Sequence, residues 1–506
     1  MKLSINKLVI AGFLGLTLVN GCSDKLDVLD RNNPTTESYF KTAAELQNGT
    51  NAIYSSMRGD NFIGRPWHYL HEMRGSEAAA GGPQLEAPNA ELLLQTNGAP
   101  SNGTVTSIWN ASYQMINRAN MVLSKAPGVT DNPTLRDILV GEAKFLRAWA
   151  YYELVSQWGD VPLYTEVVNA ISGYKGKSPA TEIYTQITKD LTEAAQALPE
   201  TPAQQGRATR GAANALLGRV LMQKGDYAAA KDALLKVYGK YILEPDFLSN
   251  FSGDVRSGTT LLATGTEFNR ESIFEVAFYD RGDNGFNWGG NGEGVAAAAT
   301  TARSQDFGMV WGNVIPSNRL LDEFDNTDPR YKYTIYEEGD RILTFNGTQP
   351  GKILTANDLN VEPSTQRGVT RKRIFRKYSV SDWVQEPIHM SGINQRLIRY
   401  ADVLLMLAEC EAETGNFANT AKYINEVRAR PSVNMPPITL ASKNESIRAV
   451  MRERALELAG EGLNNLDILR WRRKGYYPSI MPDPRPNQQE FLPIPAAEIA
   501  ANPMIR

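Results

Sequence analysis

Two stretches carry side chains able to do chemistry. In "HYLHEM", His68 and His71 stand three apart beside Glu72, which invites a metal reading because neutral imidazoles and carboxylates are zinc ligands. The zinc-protease order is H-E-x-x-H, with the glutamate between the histidines. Here it follows both, and no third ligand is indicated, so no metal and no cofactor are expected. The second stretch, "YDRGDNGFNWGGNGEG", starts at Tyr279 and sets Phe286 and Trp288 among glycines, with Asp283, Asn284 and Asn287 close by. A sugar ring has a patch of C–H bonds on its face and hydroxyls round its edge. A binder therefore needs an exposed aromatic with polar side chains beside it. Trp67 in "NFIGRPWHYLHE", beside Arg65 and His68, has the same make-up, and Trp311 is a further candidate ring. For each ring the alternative is an anchor that pins a loop to the core.

Other chemistries lack their motifs. No G-x-S-x-G elbow occurs, and "GGNGEG" has neither the spacing nor the strand-to-helix context of a dinucleotide loop. Arg454, Glu457, Glu461, Asp467 and Arg470 share a helical pattern, where solvated or structural ion pairs are the ordinary outcome. The two carboxylates of a glycoside hydrolase are set by the fold, not by spacing. A surface hydrolase therefore stays open beside a binder, as does a scaffold that holds peptides on helical repeats. No catalytic residue is nominated.

The elements that must position these residues are mainly helical. "ALLGRVLMQKGDYAAAKDAL" puts Leu217, Val220 and Leu221 on one face and turns at Gly225-Asp226-Tyr227. "LLMLAECEAETGNFANTAKYINEV" repeats the plan, turning at Gly415-Asn416-Phe417. Helix, Gly-Asn/Asp-aromatic turn and small-residue helix is the look of a tetratricopeptide pair, and the distance between the copies predicts a scaffold interrupted by insertion. "GEAKFLRAWAYYELVSQWGDVPLY" carries two apolar stripes, one of them Phe145, Trp149 and Tyr152, so this helix should be buried on most sides. Asn132-Pro133 starts it and Gly159 and Pro162 stop it; Trp149 and Trp158 read as core. From about residue 240 to 400, short alternating runs such as "SIFEVAFY" and "RIFRKYSV" replace long helical patterns. They predict an irregular lobe.

Lys2 and Lys7 precede an apolar run from Leu8 to Val19, too short to span a bilayer and shaped like a secretory signal over residues 1–21. Val19, Gly21 and Cys22 resemble the lipobox of a bacterial lipoprotein, in which the cysteine thiol is acylated. An ordinary signal with an incidental cysteine is the alternative. Residues 22–39 then form a polar tether and 40–506 the folded part. The other of the two cysteines, Cys410, shares a stripe with Val403 and Leu407 and reads as core. With 53 basic and 56 acidic residues, the net charge of −3 leaves no footprint for nucleic acid. The basic cluster "RKRIFRKY" is interleaved with apolar residues, as one face of a strand would be.

Several ordered segments together resemble the SusD/RagB family of Bacteroidetes surface lipoproteins: "TESYFKTAAELQNGTNAIYSSMR", "GEAKFLRAWAYYELVSQWGDVPLY", "WGNVIPSNRLLDEFDNTDPRYKYTIY", "RYADVLLMLAECEAETG", "RERALELAGEGLNNLDILRW" and "FLPIPAAEIAANP". Asn464 and Asn465 depart from it, standing where the family usually has a basic and an aromatic residue. The resemblance implies a tetratricopeptide-like helical scaffold with an inserted irregular lobe. It also implies a non-enzymatic lipoprotein of the outer membrane, facing the cell exterior through Cys22. There it would capture oligosaccharide and pass it to a SusC-like TonB-dependent transporter.

Overall fold

The computed structural model describes residues 39–83, 85, 99–257, 260–263, 265–279, 300–309, 311–325, 327–342, 352–379 and 391–505. The N-terminal half contributes helices α1 (Ala43–Arg58), α2 (Pro66–Arg74), α3 (Gly103–Lys125), α4 (Pro133–Trp158), α5 (Ala180–Ala197), α6 (Arg210–Lys224) and α7 (Tyr227–Leu235). Polar caps start most of them, as orphan N–H groups require. Thr42 and Glu45 form a capping box on α1, and Asn132 accepts from the Leu135 amide ahead of Pro133 on α4. Every residue of α4 from Ala148 to Trp158 is buried, as its two stripes predict, and Trp149 and Trp158 are core.

Between α7 and α11 (Tyr400–Glu413) lie only short elements among the described residues. The strands, counted from β1 (Ala78–Ala80) before α3, are β2 (Val255–Ser257), β3 (Thr260–Ala263), β4 (Ser272–Val276), β5 (Val314–Pro316), β6 (Ile335–Glu337), β7 (Ser364–Gln366), β8 (Val369–Arg371), β9 (Arg373–Phe375) and β10 (Gln395–Arg399). They pair antiparallel as two-stranded ladders, β1 with β5, β4 with β10, β2 with β3, β6 with β9 and β7 with β8. The short helices here are α8 (Arg303–Phe307), α9 (Asn318–Glu323) and α10 (Arg330–Thr334). β10 runs straight into α11. Helices α12 (Phe417–Arg428), α13 (Lys443–Leu458) and α14 (Asn464–Arg473) follow.

The two helix pairs seen in the sequence are built alike. Gly225 (φ 82°) ends α6 and Gly415 (φ 84°) follows α11, both in the left-handed region where a Cβ is unfavourable. Asp226 then caps α7 and Asn416 caps α12, each accepting from an amide three residues on at 3.2 Å. α7 packs on α11, so the fold brings the separated repeats side by side. Cys410 lies buried in this helical core.

A buried ionic network fastens the insertion to the helices. Glu457 of α13 receives Arg399 and Arg430 at 2.7 Å and Arg330 of α10 at 3.3 Å. Glu271, just before β4, binds Arg430 at 2.7 Å and Arg399 at 2.8 Å, while Glu461 binds Arg399 at 2.7 Å and Lys377, beyond β9, at 2.9 Å. Of the helical charge pattern in the sequence, Arg454 pairs with Asp467 and Asp402, and Arg470 with Glu409. These are buried structural pairs rather than a solvated face. The "RKRIFRKY" stretch spends its cations internally too: Arg373 on Glu337 and Lys377 on Glu461.

Candidate functional site

Helix α2 decides the fate of three nominated residues. Its side chains from Trp67 to Arg74 are all buried, and they diverge to opposite sides. On one side the Trp67 indole N–H donates to Glu153 of α4 at 3.1 Å, and the His71 Nε2 meets the second oxygen of the same carboxylate at 3.0 Å. Trp67 is 2% exposed and its ring lies 4.6 Å from that of His71. The expectation of Trp67 as a surface stacking platform is therefore corrected. The polar neighbours that suggest a wet loop in sequence are themselves buried, and the ring is an anchor.

On the other side the hub is Asp306 of α8, which is fully buried. Its carboxylate accepts from Arg65 Nε at 3.1 Å, from His68 Nε2 at 3.2 Å, from the Tyr69 hydroxyl at 2.5 Å and from Asn313 Nδ2 at 3.0 Å. Burial pushes this carboxyl up, but Arg65 and the His68 hydrogen bond outweigh it and hold it at about 2. Burial likewise pulls His68 down to about 4. Near neutral pH the ring is uncharged, and since the carboxylate can only accept, Nε2 carries the proton. His68 is 1% exposed, so its nomination as a ligand contact is also corrected; it positions Asp306. The two histidines thus serve different carboxylates. Among the described residues no cluster of histidine, cysteine and acidic side chains is arranged to hold a metal.

Above this hub the surface is reached. Arg65 keeps 14% of its side chain exposed, and its guanidinium carbon sits 5.5 Å from the centroid of the half-buried Trp311 ring and 5.1 Å from that of Tyr69. Trp311 is held by its own backbone, whose amide donates to the Gln305 carbonyl at 3.3 Å. Alongside, Gly81 and Gly82 donate to the Asn313 and Gly312 carbonyls. A Cβ at Gly82 would run into the Trp311 carbonyl oxygen and one at Gly81 into that of Gly312, so only glycine allows this approach. Thr301 pairs with Ser391 and donates its hydroxyl to the Gly64 carbonyl at 3.0 Å. The described flanks of residues 280–299 and 380–390 therefore meet one residue from Arg65. Tyr279, on the other flank, is 51% exposed.

Of the nominated residues, Arg65, His68 and Trp311 are thus brought together round Asp306, and Trp67 is turned away. Trp288, Phe286, Asp283, Asn284, Asn287 and Cys22 lie outside the described residues. Sequence reasoning missed Asp306, Tyr69 and Asn313. Asp306 stands 241 residues from Arg65, and no spacing rule reaches that far. The unusual Asn464 and Asn465 also have a use. Asn464 accepts from the Ser76 amide at 2.7 Å and donates to Glu77, tying α14 to the segment after α2, and Asn465 donates to Gln157 of α4.

Comparison with known proteins bears on this arrangement. Residues 270–506 match the family described as the SusD family, and residues 26–222 match one described as starch-binding associating with outer membrane. The chain is 27% identical over 514 residues to a SusD-like protein P2 of Formosa agariphila, covering 96% of both chains. It is similar to a solved laminarin-binding SusD-like protein at 25% identity and a TM-score of 0.70, covering 92% of this chain and 99% of that one. It also resembles surface glycan-binding protein A of Bacteroides thetaiotaomicron, solved with laminarihexaose, at 20% identity and a TM-score of 0.69, over 92% and 98% of the two chains.

Proposed function

The chain belongs to the SusD/RagB family, whose glycan-binding members are non-catalytic, and from that premise we propose that it captures oligosaccharides at the outer membrane. The observation that carries this reading is the corner of Trp311 and Arg65. A half-buried indole lies beside a cation that is held by a buried carboxylate with three further donors. A ring presented on a fixed polar frame suits the C–H face and hydroxyl edge of a sugar. The aromatic, amide-rich stretch from Asp283 to Trp288 is proposed to supply further contacts to the sugar. It has the composition of a stacking loop.

Anchoring through acylated Cys22 and delivery to a SusC-like TonB-dependent transporter complete the proposal. Acyl chains on one cysteine would hold the chain at the membrane, and among the described residues no helix is long and apolar enough to cross it. A captured sugar then needs a separate protein to carry it inward.

Incubation of the pure protein with laminarihexaose and other oligosaccharides tests the binding step. A binder retains the sugar and releases no product. New reducing ends would return the hydrolase reading, and neither retention nor product would favour a peptide-holding scaffold.

A further inference from the structure

Arg58 has no answering charge among the described residues. Arg58 ends α1 half-buried, and its Nε is sealed from solvent with no hydrogen-bond partner among the described residues. Desolvation lowers its pKa, and no carboxylate opposes that effect. Several other buried guanidinium groups are matched by acids, Arg147 by Asp190, Arg219 by Asp402, Arg330 by Asp328 and Glu453, while the fully buried Arg74 is held by the Gln489 and Glu490 carbonyls. A cation at the end of a helix gains something from the carbonyls there, but a desolvated charge without a counter-ion is costly unless a ligand supplies one.

Arg58 lines a cleft of about 340 Å³, bounded by α1, residues 204–207 and the strand β4. Its floor is apolar, with Met57, Phe274 and Val276 buried. Its rim carries Asn51, Gln204 and Gln205, amides that suit hydroxyl groups. The other charges of the lining are already used. Arg207 donates to Glu142 at 2.6 Å, to Asn51 at 2.5 Å and to Gln204 at 2.8 Å. Glu275, the one acid, receives the Phe268 amide and lies 3.4 Å from Arg396. What the cleft lacks is one negative charge beside Arg58.

We propose that this cleft is an anion-accepting subsite, in which Arg58 takes the carboxylate or sulfate ester of an acidic sugar while the rim amides take its hydroxyls. The inference rests on the glycan-binding reading and narrows it to acidic glycans. The cleft is well placed for this, because β4 leads through Ala277, also a lining residue, to the exposed Tyr279 at the edge of the aromatic stretch. A guanidinium binds carboxylate and sulfate oxygens through paired N–H donors, so both chemistries fit.

The test is calorimetric titration of wild type and Arg58→Gln with three probes: oligogalacturonate, a sulfated galactan oligosaccharide and neutral laminarihexaose. Inorganic sulfate is titrated separately. Wild type is expected to prefer one of the acidic probes, with an affinity that falls as salt rises. Arg58→Gln should lose at least about tenfold on that probe and change little on the neutral one. Arg58→Met should melt at the same temperature as wild type or higher, since it removes an unmatched charge; a clear loss of stability would mean that the arginine is structural and would overturn the inference. Neutral sugar bound as well as acidic sugar, with Arg58→Gln unchanged, would also overturn it and leave the glycan reading standing. Sulfate bound through Arg58 with no oligosaccharide retained would do the reverse: the anion site would stand and the glycan reading would fall.

Discussion

Asp306 and Glu457 are both buried carboxylates at the centre of a fan of donors, yet the two fans end differently. Around Glu457, the side chains of Arg399, Arg430 and Arg330 are 2%, 0% and 0% exposed, and every arm reaches another internal acid. Around Asp306 one arm, Arg65, comes out to the surface and lies against the ring of Trp311. The same electrostatics therefore does two jobs. In the deep network it joins α10, the end of β10, the segment after α12, α13 and the start of β4, so that the long insertion cannot drift from the helices. At the corner it fixes the orientation of a side chain that a ligand can touch. A closed fan is structural; the open one is the frame proposed for a site.

Breaking the closed fan should have the largest effect. Glu457→Gln leaves three arginines without their shared carboxylate charge, and loss of one partner of a buried pair costs about 3–5 kcal/mol. Urea unfolding should show this loss, whereas affinity for a bound oligosaccharide should be unchanged in the protein that remains folded. An equal loss of affinity would mean the two hubs are coupled. Trp67→Ala should come close behind, with a loss of about 3–5 kcal/mol for a large buried ring. It removes the donor that Trp67 gives to Glu153, and a retained melting temperature would overturn its reassignment from surface platform to core.

Acid sharpens the contrast from the other side. His68 titrates at an ordinary 6.5 when unfolded and at about 4 when folded. Between those values the unfolded chain holds more protons, so stability rises with pH across that window and is lost as the pH falls from 6.5 to 4. Such a difference is on the order of 3 kcal/mol. Asp306 adds a contribution that is present above the unfolded carboxylate range and is lost as pH falls through about 2. His68→Gln keeps a donor for Asp306 but removes the upper limb. The pH profile of its unfolding free energy should flatten between pH 4 and 6.5, and a profile parallel to that of wild type would show that this imidazole does not set the limb.

Much of the helical architecture was legible because it is local. The Gly225-Asp226-Tyr227 and Gly415-Asn416-Phe417 turns each declare a left-handed residue, a cap and a helix start within three positions. The stripes on α4 likewise declare their burial. The site was legible only in part. Arg65 and Trp311 stand out as polar and aromatic neighbours in their own loops, but what makes them a frame is Asp306, which no local pattern links to either. Trp67 misleads for the same reason. Next to Arg65 and His68 it looks like a ring among solvated groups, and only Glu153, 86 residues away, and Asp306 reveal that those groups are internal. The polar residues of this region are paired over long distances, and periodicity carries no information about such pairs.

The smallest effect in free energy bears most directly on function. Trp311 is half-buried and Trp67 fully buried, so Trp311→Ala should cost far less melting temperature than Trp67→Ala. If the accessible part of this indole is a stacking surface, its removal should weaken binding by about 1–3 kcal/mol, by analogy with base–aromatic stacking. Trp288→Ala, in the glycine-rich stretch outside the described residues, should have a similar cost if both rings meet one sugar chain. Each variant would be titrated with whichever oligosaccharide wild type retains. The double variant separates the cases that single ones leave together. Costs that add indicate two independent stacking contacts, while a double variant no worse than one single indicates that one ring merely positions the other. If Trp311→Ala binds as tightly as wild type, the open fan round Asp306 supports no contact with ligand. The corner would then be a second structural hub that happens to reach the surface.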